Sequence, residues 1–215
     1  MKNKCYRYFL FFLGLLCNGF GVTFIRKAAL GTTPIASIPH TLSLIFPKIT
    51  LGKFTIMVVS MILILAQVLI LRKQSHFVDT VLQIPISFLF GYVIDFSTWL
   101  LTFFNPENYG VKLISLLIGC LIIAFGIYFE VVVNVAILPA DGFSRAIAVV
   151  TKKEFGAIKL LTDFSQAIFS LVIGFLCLHE FAGVREGTII GALLIGNIIK
   201  LIGKTWQLER VFSSL

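Results

Sequence analysis

Leu30-Gly31-Thr32-Thr33-Pro34 and Ile137-Leu138-Pro139-Ala140-Asp141-Gly142 each interrupt an apolar stretch, and their prolines stand 105 positions apart. Proline removes a backbone donor and glycine loosens the backbone, so each stretch marks a break between helices. A short apolar segment follows each break, Pro34 to Phe46 and Asp141 to Val150. Neither is long enough to cross a bilayer, which takes about 20 apolar residues. Short apolar helices after a break are the pattern of re-entrant segments. Thr33 before Pro34 reads as an N-cap with proline at the first helical position, and Asp141 reads as the cap of the second short helix.

Outward from the breaks, six segments approach spanning length. They run from about Tyr8 to Ile25, Phe54 to Leu71, Thr80 to Phe104, Leu113 to Val135, Leu160 to Leu178 and Gly187 to Ile202. The shift of 105 that joins the breaks also aligns these spans. Gly14 meets Gly119, Gly21 meets Gly126, Phe20 meets Phe125, Pro34 meets Pro139, Ser60 meets Ser165 and Gly91 meets Gly196. Paired glycines and prolines carry the argument, because each marks a backbone event that a chance Leu on Leu does not. The expected fold is an all-α membrane protein. It has six transmembrane helices plus two short re-entrant helices, in two repeats covering 1–108 and 109–215. Three crossings per repeat invert the second copy relative to the first.

Composition agrees. Of 215 residues, 58% are hydrophobic and 13% charged, and 22 are Phe. A soluble domain carries about 25% charged residues, so half that supply cannot clothe a water-facing surface. The net charge of +8 sits in short clusters between apolar runs, which fits a positive-inside bias and argues against a nucleic-acid partner. With both termini inside, Arg72, Lys73, His76, Arg145, Lys152, Lys153, Lys159, Lys204 and Arg210 fall on the cytoplasmic side. Arg26, Lys27, Lys48 and Lys53 run against that balance. The first segment resembles a signal peptide, but its repeat partner argues for its retention as a span. Cys5, Cys17, Cys120 and Cys177 have no CxxC spacing, and the three His are scattered, so neither a disulfide framework nor a metal site is expected. No cofactor motif, phosphate loop, HExxH or nucleophile elbow is present, so the chain does not read as an enzyme.

Leu30 to Pro39, LGTTPIASIP, resembles the stretch after the first span in the YczE/YyaS/YitT family of bacterial multi-pass membrane proteins. Leu138 to Phe143, LPADGF, resembles the matching segment of that family's second half. The resemblance implies this architecture and a bacterial plasma membrane, and leaves the solute open.

Inverted repeats with broken helices are a transporter pattern, because helix starts with unpaired N–H groups converge near the midplane. The candidate binding residues are Thr32, Thr33, Ser37 and His40 in the first copy, and Asp141, Gly142, Ser144 and Arg145 in the second. The alternative is that they only cap and turn the short helices. Glu130 is the sharpest single candidate, since a carboxylate in an apolar run costs about 2.5–3.5 kcal/mol on insertion scales. Asn134 shares its face, and Arg26 aligns with Val131 beside it, so an Arg26–Glu130 pair is expected, either for function or as a structural tie. An Asp141–Arg145 pair and an Asp95–Lys200 pair, aligned by the same shift, are weaker expectations. Asp163, Gln166, Gln83 and Tyr92 either line a cavity or bridge helices, and Gly183, Gly187 and Gly191 predict close helix packing.

The expected function is a transporter or permease for a small polar or anionic solute, with one repeat rocking against the other. Its partners are membrane lipid, the solute, and a second copy or another membrane protein. The rival readings are a non-transporting scaffold or substrate-binding subunit, and an intramembrane enzyme. A Glu130 facing water would favour transport; a Glu130 sealed in a pair would favour the scaffold.

Overall fold

The computed structural model describes residues 2–71, 77–133, 137–153, 155–179 and 184–206. All regular elements among them are helical. In chain order they are α1 (Lys2–Lys27), α2 (Pro34–Ile45), α3 (Leu51–Phe54), a π-helical segment (Thr55–Ser60), α4 (Met61–Leu71), α5 (Phe77–Leu100), α6 (Tyr109–Val133), α7 (Pro139–Thr151), α8 (Phe155–Leu178) and α9 (Glu186–Trp206). Under the shift of 105, α1 answers to α6, α2 to α7, the run from α3 to α4 to α8, and α5 to α9.

Both short helices start on their prolines, where the missing N–H is not needed. The expected caps differ. Leu138 is the N-cap of α7 and makes no side-chain cap bond; Asp141 lies inside the helix. The Thr33 hydroxyl is buried without a hydrogen-bond partner. Lys152, at φ 54°, ends α7 in the left-handed conformation. Asp95 has a role that its expected Lys200 pairing missed. It accepts bonds from the Gly52 amide at 2.9 Å and the Thr50 hydroxyl at 2.6 Å, closing the start of α3. The side chain of Lys200 lies outside the described residues.

Among the described residues, four helices are long and apolar enough to cross a membrane, with spans at Tyr6–Lys27, Val81–Leu100, Tyr109–Glu130 and Ala157–Leu178. Met61–Leu71 and Glu186–Ile198 are shorter apolar helices. The expected second span is divided by the π-helical segment, where the Thr55 hydroxyl bonds the Leu51 carbonyl at 2.9 Å. Phe9, Trp99, Ile114 and Leu176 stand exposed along the four spans. Hydrocarbon tolerates that arrangement where water would not.

The chain forms two compact units that do not coincide with the repeats. The first comprises Met1–Thr33, Phe96–Val135 and Glu186–Leu215; the second comprises Pro34–Asp95 and Ala136–Arg185. Each unit therefore draws matching elements from both halves.

In the first unit α1 packs along α6, and α6 along α9. The Arg7 guanidinium donates to the Val133 carbonyl at 2.7 Å, closing the end of α6. Gly14 faces Gly126, and Gly21 faces Gly119. The partner's number falls by seven each time α1 advances by seven, so the two helices run antiparallel at heptad spacing. Adding 105 to Gly14 and subtracting 105 from Gly126 turns the first glycine contact into the second. Glycine is required here because an added Cβ at Gly14 would stand 2.8 Å from the Gly126 carbonyl oxygen, and one at Gly126 would stand 2.7 Å from that of Gly14. Close backbone approach through small residues replaces the hydrophobic drive that lipid cannot supply. Gly187 likewise meets the Leu30 backbone and donates to its carbonyl at 2.7 Å. Gly191 has only Cys120 Sγ near it, at 3.8 Å from an added Cβ, and Gly183 lies outside the described residues.

The second unit repeats the reciprocity with different elements. Helix α2 packs on α8, and its counterpart α7 packs on α4, the counterpart of part of α8.

Candidate functional site

Glu130 stands in the first unit, 7% exposed, and accepts a hydrogen bond from Asn18 Nδ2 at 2.7 Å. Its Cγ lies 3.1 Å from the position a Cβ on Gly14 would take. The antiparallel register sets this partner. Arg26 is eight residues beyond Asn18 on α1, about 12 Å further along the axis, and the hydrogen bond to Glu130 comes from Asn18. Asn134 lies outside the described residues. The repeat counterparts of Asn18 and Glu130 are Ile123 and Ile25, both buried. The same interface is thus polar at one end and apolar at the other. Asn18→Ile alone is expected to destabilise the protein by about 1–3 kcal/mol, because a buried carboxylate loses a donor. Asn18→Ile combined with Glu130→Ile copies the apolar end and should melt near wild type in detergent. A double variant as unstable as the single one would show that the carboxylate answers to more than this pair.

Thr32 and Thr33 also belong to the first unit and are buried. The Thr32 amide donates to the Thr188 hydroxyl at 3.2 Å, while both Thr32 and Thr33 hydroxyls have no hydrogen-bond partner.

The second unit gathers the rest. Lys159, on α8, sits between two carboxylates: 3.0 Å from Asp141 Oδ1 on α7 and 2.8 Å from Asp163 Oδ1 on its own helix. The first contact is an ion pair without hydrogen-bond alignment; the second is a hydrogen bond as well. All three side chains are about four-fifths buried, at 19–22% exposed. Asp141 therefore pairs across helices, and Arg145, its expected intrahelical partner, is exposed. One turn along, the Ser144 and Thr162 hydroxyls bond at 2.6 Å. Gln166 follows at the next turn of α8, buried, with neither amide atom bonded. The Ser37 hydroxyl of α2 donates to the Pro34 carbonyl at 2.6 Å and approaches the Gln166 carbonyl at 3.4 Å. Thr41 and Ser170 close the series at 2.8 Å. Lys159, Thr162, Gln166 and Ser170 thus form a polar stripe within one membrane-length helix. Its spacing of three to four residues keeps it on one face. That face meets α7 at its start and α2 at its end.

Gly142 carries the third contact. A Cβ there would collide with Gln67 Oε1 of α4 and stand 2.7 Å from Gln83 Nε2 of α5. The Oε1 atoms of Gln67 and Gln83 are buried without partners. His40 is half-buried and Tyr92 exposed.

Of the expected residues, Ser37, Asp141, Gly142 and Ser144 thus belong to one polar cluster, and Arg145 does not enter it. Lys159 was expected at the inner surface, and Gln67 drew no attention. Lys159 and Asp163, four apart inside an apolar run, were the legible sign of a paired charge on one face of α8.

A family model described as a family of unknown function, DUF6198, matches residues 5–204. The chain belongs to that family. No curated protein matches it, and no solved structure matches it. The DUF6198 match covers each of the described α-helices at least in part and assigns no chemistry to the polar cluster.

Proposed function

We propose that this protein is a small-solute transporter of the bacterial plasma membrane, working by alternating access around the polar cluster of its second unit. The observation that carries the reading is the reciprocal antiparallel packing of Gly14 on Gly126 and Gly21 on Gly119. Equivalent helices that run antiparallel are related by an axis across them. For spanning helices such an axis lies in the membrane plane, as in inverted-repeat transporters. The run Leu51–Leu71 and α9 then complete six crossings with α1, α5, α6 and α8, while α2 and α7 remain re-entrant.

Two measurements test this. Cysteines placed at Glu107 and Lys153, both exposed, in a chain stripped of native cysteines should react with an impermeant maleimide from opposite faces, Glu107→Cys from outside. Reaction from one face would remove the inverted topology. Purified protein in liposomes should give saturable flux of a small polar solute, reduced by Gln83→Leu. A broad panel without saturable flux would leave the scaffold reading, which the sealing of Glu130 against Asn18 favours.

A further inference from the structure

Lys159 takes the carboxylate that the spacing of α7 offers to Arg145, and Arg145 is exposed. Val149 follows one turn on and Lys152 nearly a turn further, so the three share one face of α7. Val150 and Lys153 beside them are exposed as well. Among the described residues none of the three cations is in a salt bridge. Counting Glu154, which lies outside the described residues, three cations and one anion leave 145–154 at +2.

The closing turn of α7 fixes where the two lysines stand, since the amides of both donate to the Ala148 carbonyl. Lys152 takes φ 54° to do so, a left-handed conformation that suits glycine and that a side chain resists. A lysine at this position gives up stability that glycine would supply. The helix dipole favours a cation near the last turn, but one residue earlier would serve it without strain, and its reach does not extend back to Arg145. The membrane-length stretch of α8 begins at Ala157, four residues after Lys153. For a helix that enters the bilayer there, Lys153 falls at the depth of the headgroups. Valines exposed among cations suit neither plain water nor plain hydrocarbon. They suit a phospholipid, whose phosphate accepts charge-assisted hydrogen bonds while its chains cover the apolar side chains.

We infer that the exposed end of α7 binds the headgroup of an anionic phospholipid. Arg145, Lys152 and Lys153 hold the charge, and Val149 and Val150 meet the acyl chains. The site is independent of the transport reading and stands or falls without it.

The test is a melt of the full-length protein in neutral detergent, with phosphatidylglycerol or phosphatidylcholine added to the micelles. Phosphatidylglycerol should give a saturable rise in unfolding temperature, of roughly 3–5 °C per tenfold excess over the dissociation constant, that high salt weakens. Phosphatidylcholine should give none, and neither should sodium phosphate at equal ionic strength. Arg145→Gln combined with Lys152→Gln and Lys153→Gln should melt as wild type in phosphatidylcholine and lose most of the rise. Lys152→Gln with Lys153→Gln should lose more of it than Lys48→Gln with Lys53→Gln, which removes the same charge from exposed lysines elsewhere. Lys152→Gly should melt higher than wild type in phosphatidylcholine, its strain relieved, and yet respond less to phosphatidylglycerol. No saturable rise, a rise kept in the triple variant, or equal losses in the two lysine pairs would each overturn the inference. A rise from sodium phosphate as large as that from phosphatidylglycerol would overturn it in favour of a free anion.

Discussion

Gly126→Leu is expected to yield no monodisperse protein, and Gly126→Ala to lower the unfolding temperature by about 2–10 °C. The alanine Cβ would stand 2.7 Å from the Gly14 carbonyl oxygen and 2.9 Å from the Asn18 amide nitrogen. Both are backbone atoms, so no side chain can turn aside, and α1 and α6 must separate. Overpacking of this kind costs about 1–3 kcal/mol, against a gain of up to about 1 kcal/mol from alanine's better helix propensity. For a chain of this size each kcal/mol moves the midpoint by about 2–4 °C. Leucine demands far more separation than the interface can give. Gly21→Ala should resemble Gly126→Ala, because the two positions are reciprocal. Gly196→Ala is the control: nothing lies within 4 Å of its added Cβ, and propensity alone should leave it unchanged or slightly raised. Detergent melts followed by size-exclusion fluorescence would decide. Equal effects at Gly126 and Gly196 would show that the crossing does not hold the first unit together.

These glycines were legible in the sequence as repeat landmarks but not as each other's neighbours. A proline or glycine acts on its own backbone, so the breaks at Pro34 and Pro139 and the two short helices can be read from one strand of text. Partners across helices depend on direction and register. The shift of 105 pairs Gly14 with Gly119, yet Gly14 packs against Gly126, because the two helices run antiparallel. The same register brings Asn18 to Glu130. Packing also cuts the compact units across the repeats: α1 lies against its match α6 in the first unit, and in the second each short helix lies against a long helix of the other half. The division of the second span had no sequence signal of comparable strength, since a π-helical turn uses the same apolar residues as an α-helical one. Charge was legible only in part. Lys159 near the start of a span looks like an inner-surface residue. Its placement between Asp141 and Asp163 follows from the packing of α7 on α8, and sequence spacing reveals only the second of these partners. Glutamines give the weakest signal of all, being neutral and commonly used to bridge helices. Only burial shows Gln67 and Gln83 to lack donors.

Lys159→Met is expected to be the most damaging single change outside the glycine crossing. Methionine fits the volume and the apolar surroundings of α8, so packing is nearly conserved and the loss is electrostatic. Asp141 and Asp163 are left facing one another without the ammonium that lay 3.0 and 2.8 Å away. Breaking a buried ion cluster by removing one member costs about 3–5 kcal/mol, because the remaining charges stay desolvated. The residual exposure of these groups places the expected loss near the lower end, about 3 kcal/mol. Removing all three charges is different in kind. Asp141→Asn, Lys159→Met and Asp163→Asn together leave no orphan charge and should recover most of the lost stability, since neutral replacements of buried ion clusters are often tolerated. The single and triple variants form a cycle whose coupling energy isolates the cluster. A Lys159→Met protein as stable as wild type would return Lys159 to the membrane surface, where solvent screens a lone charge.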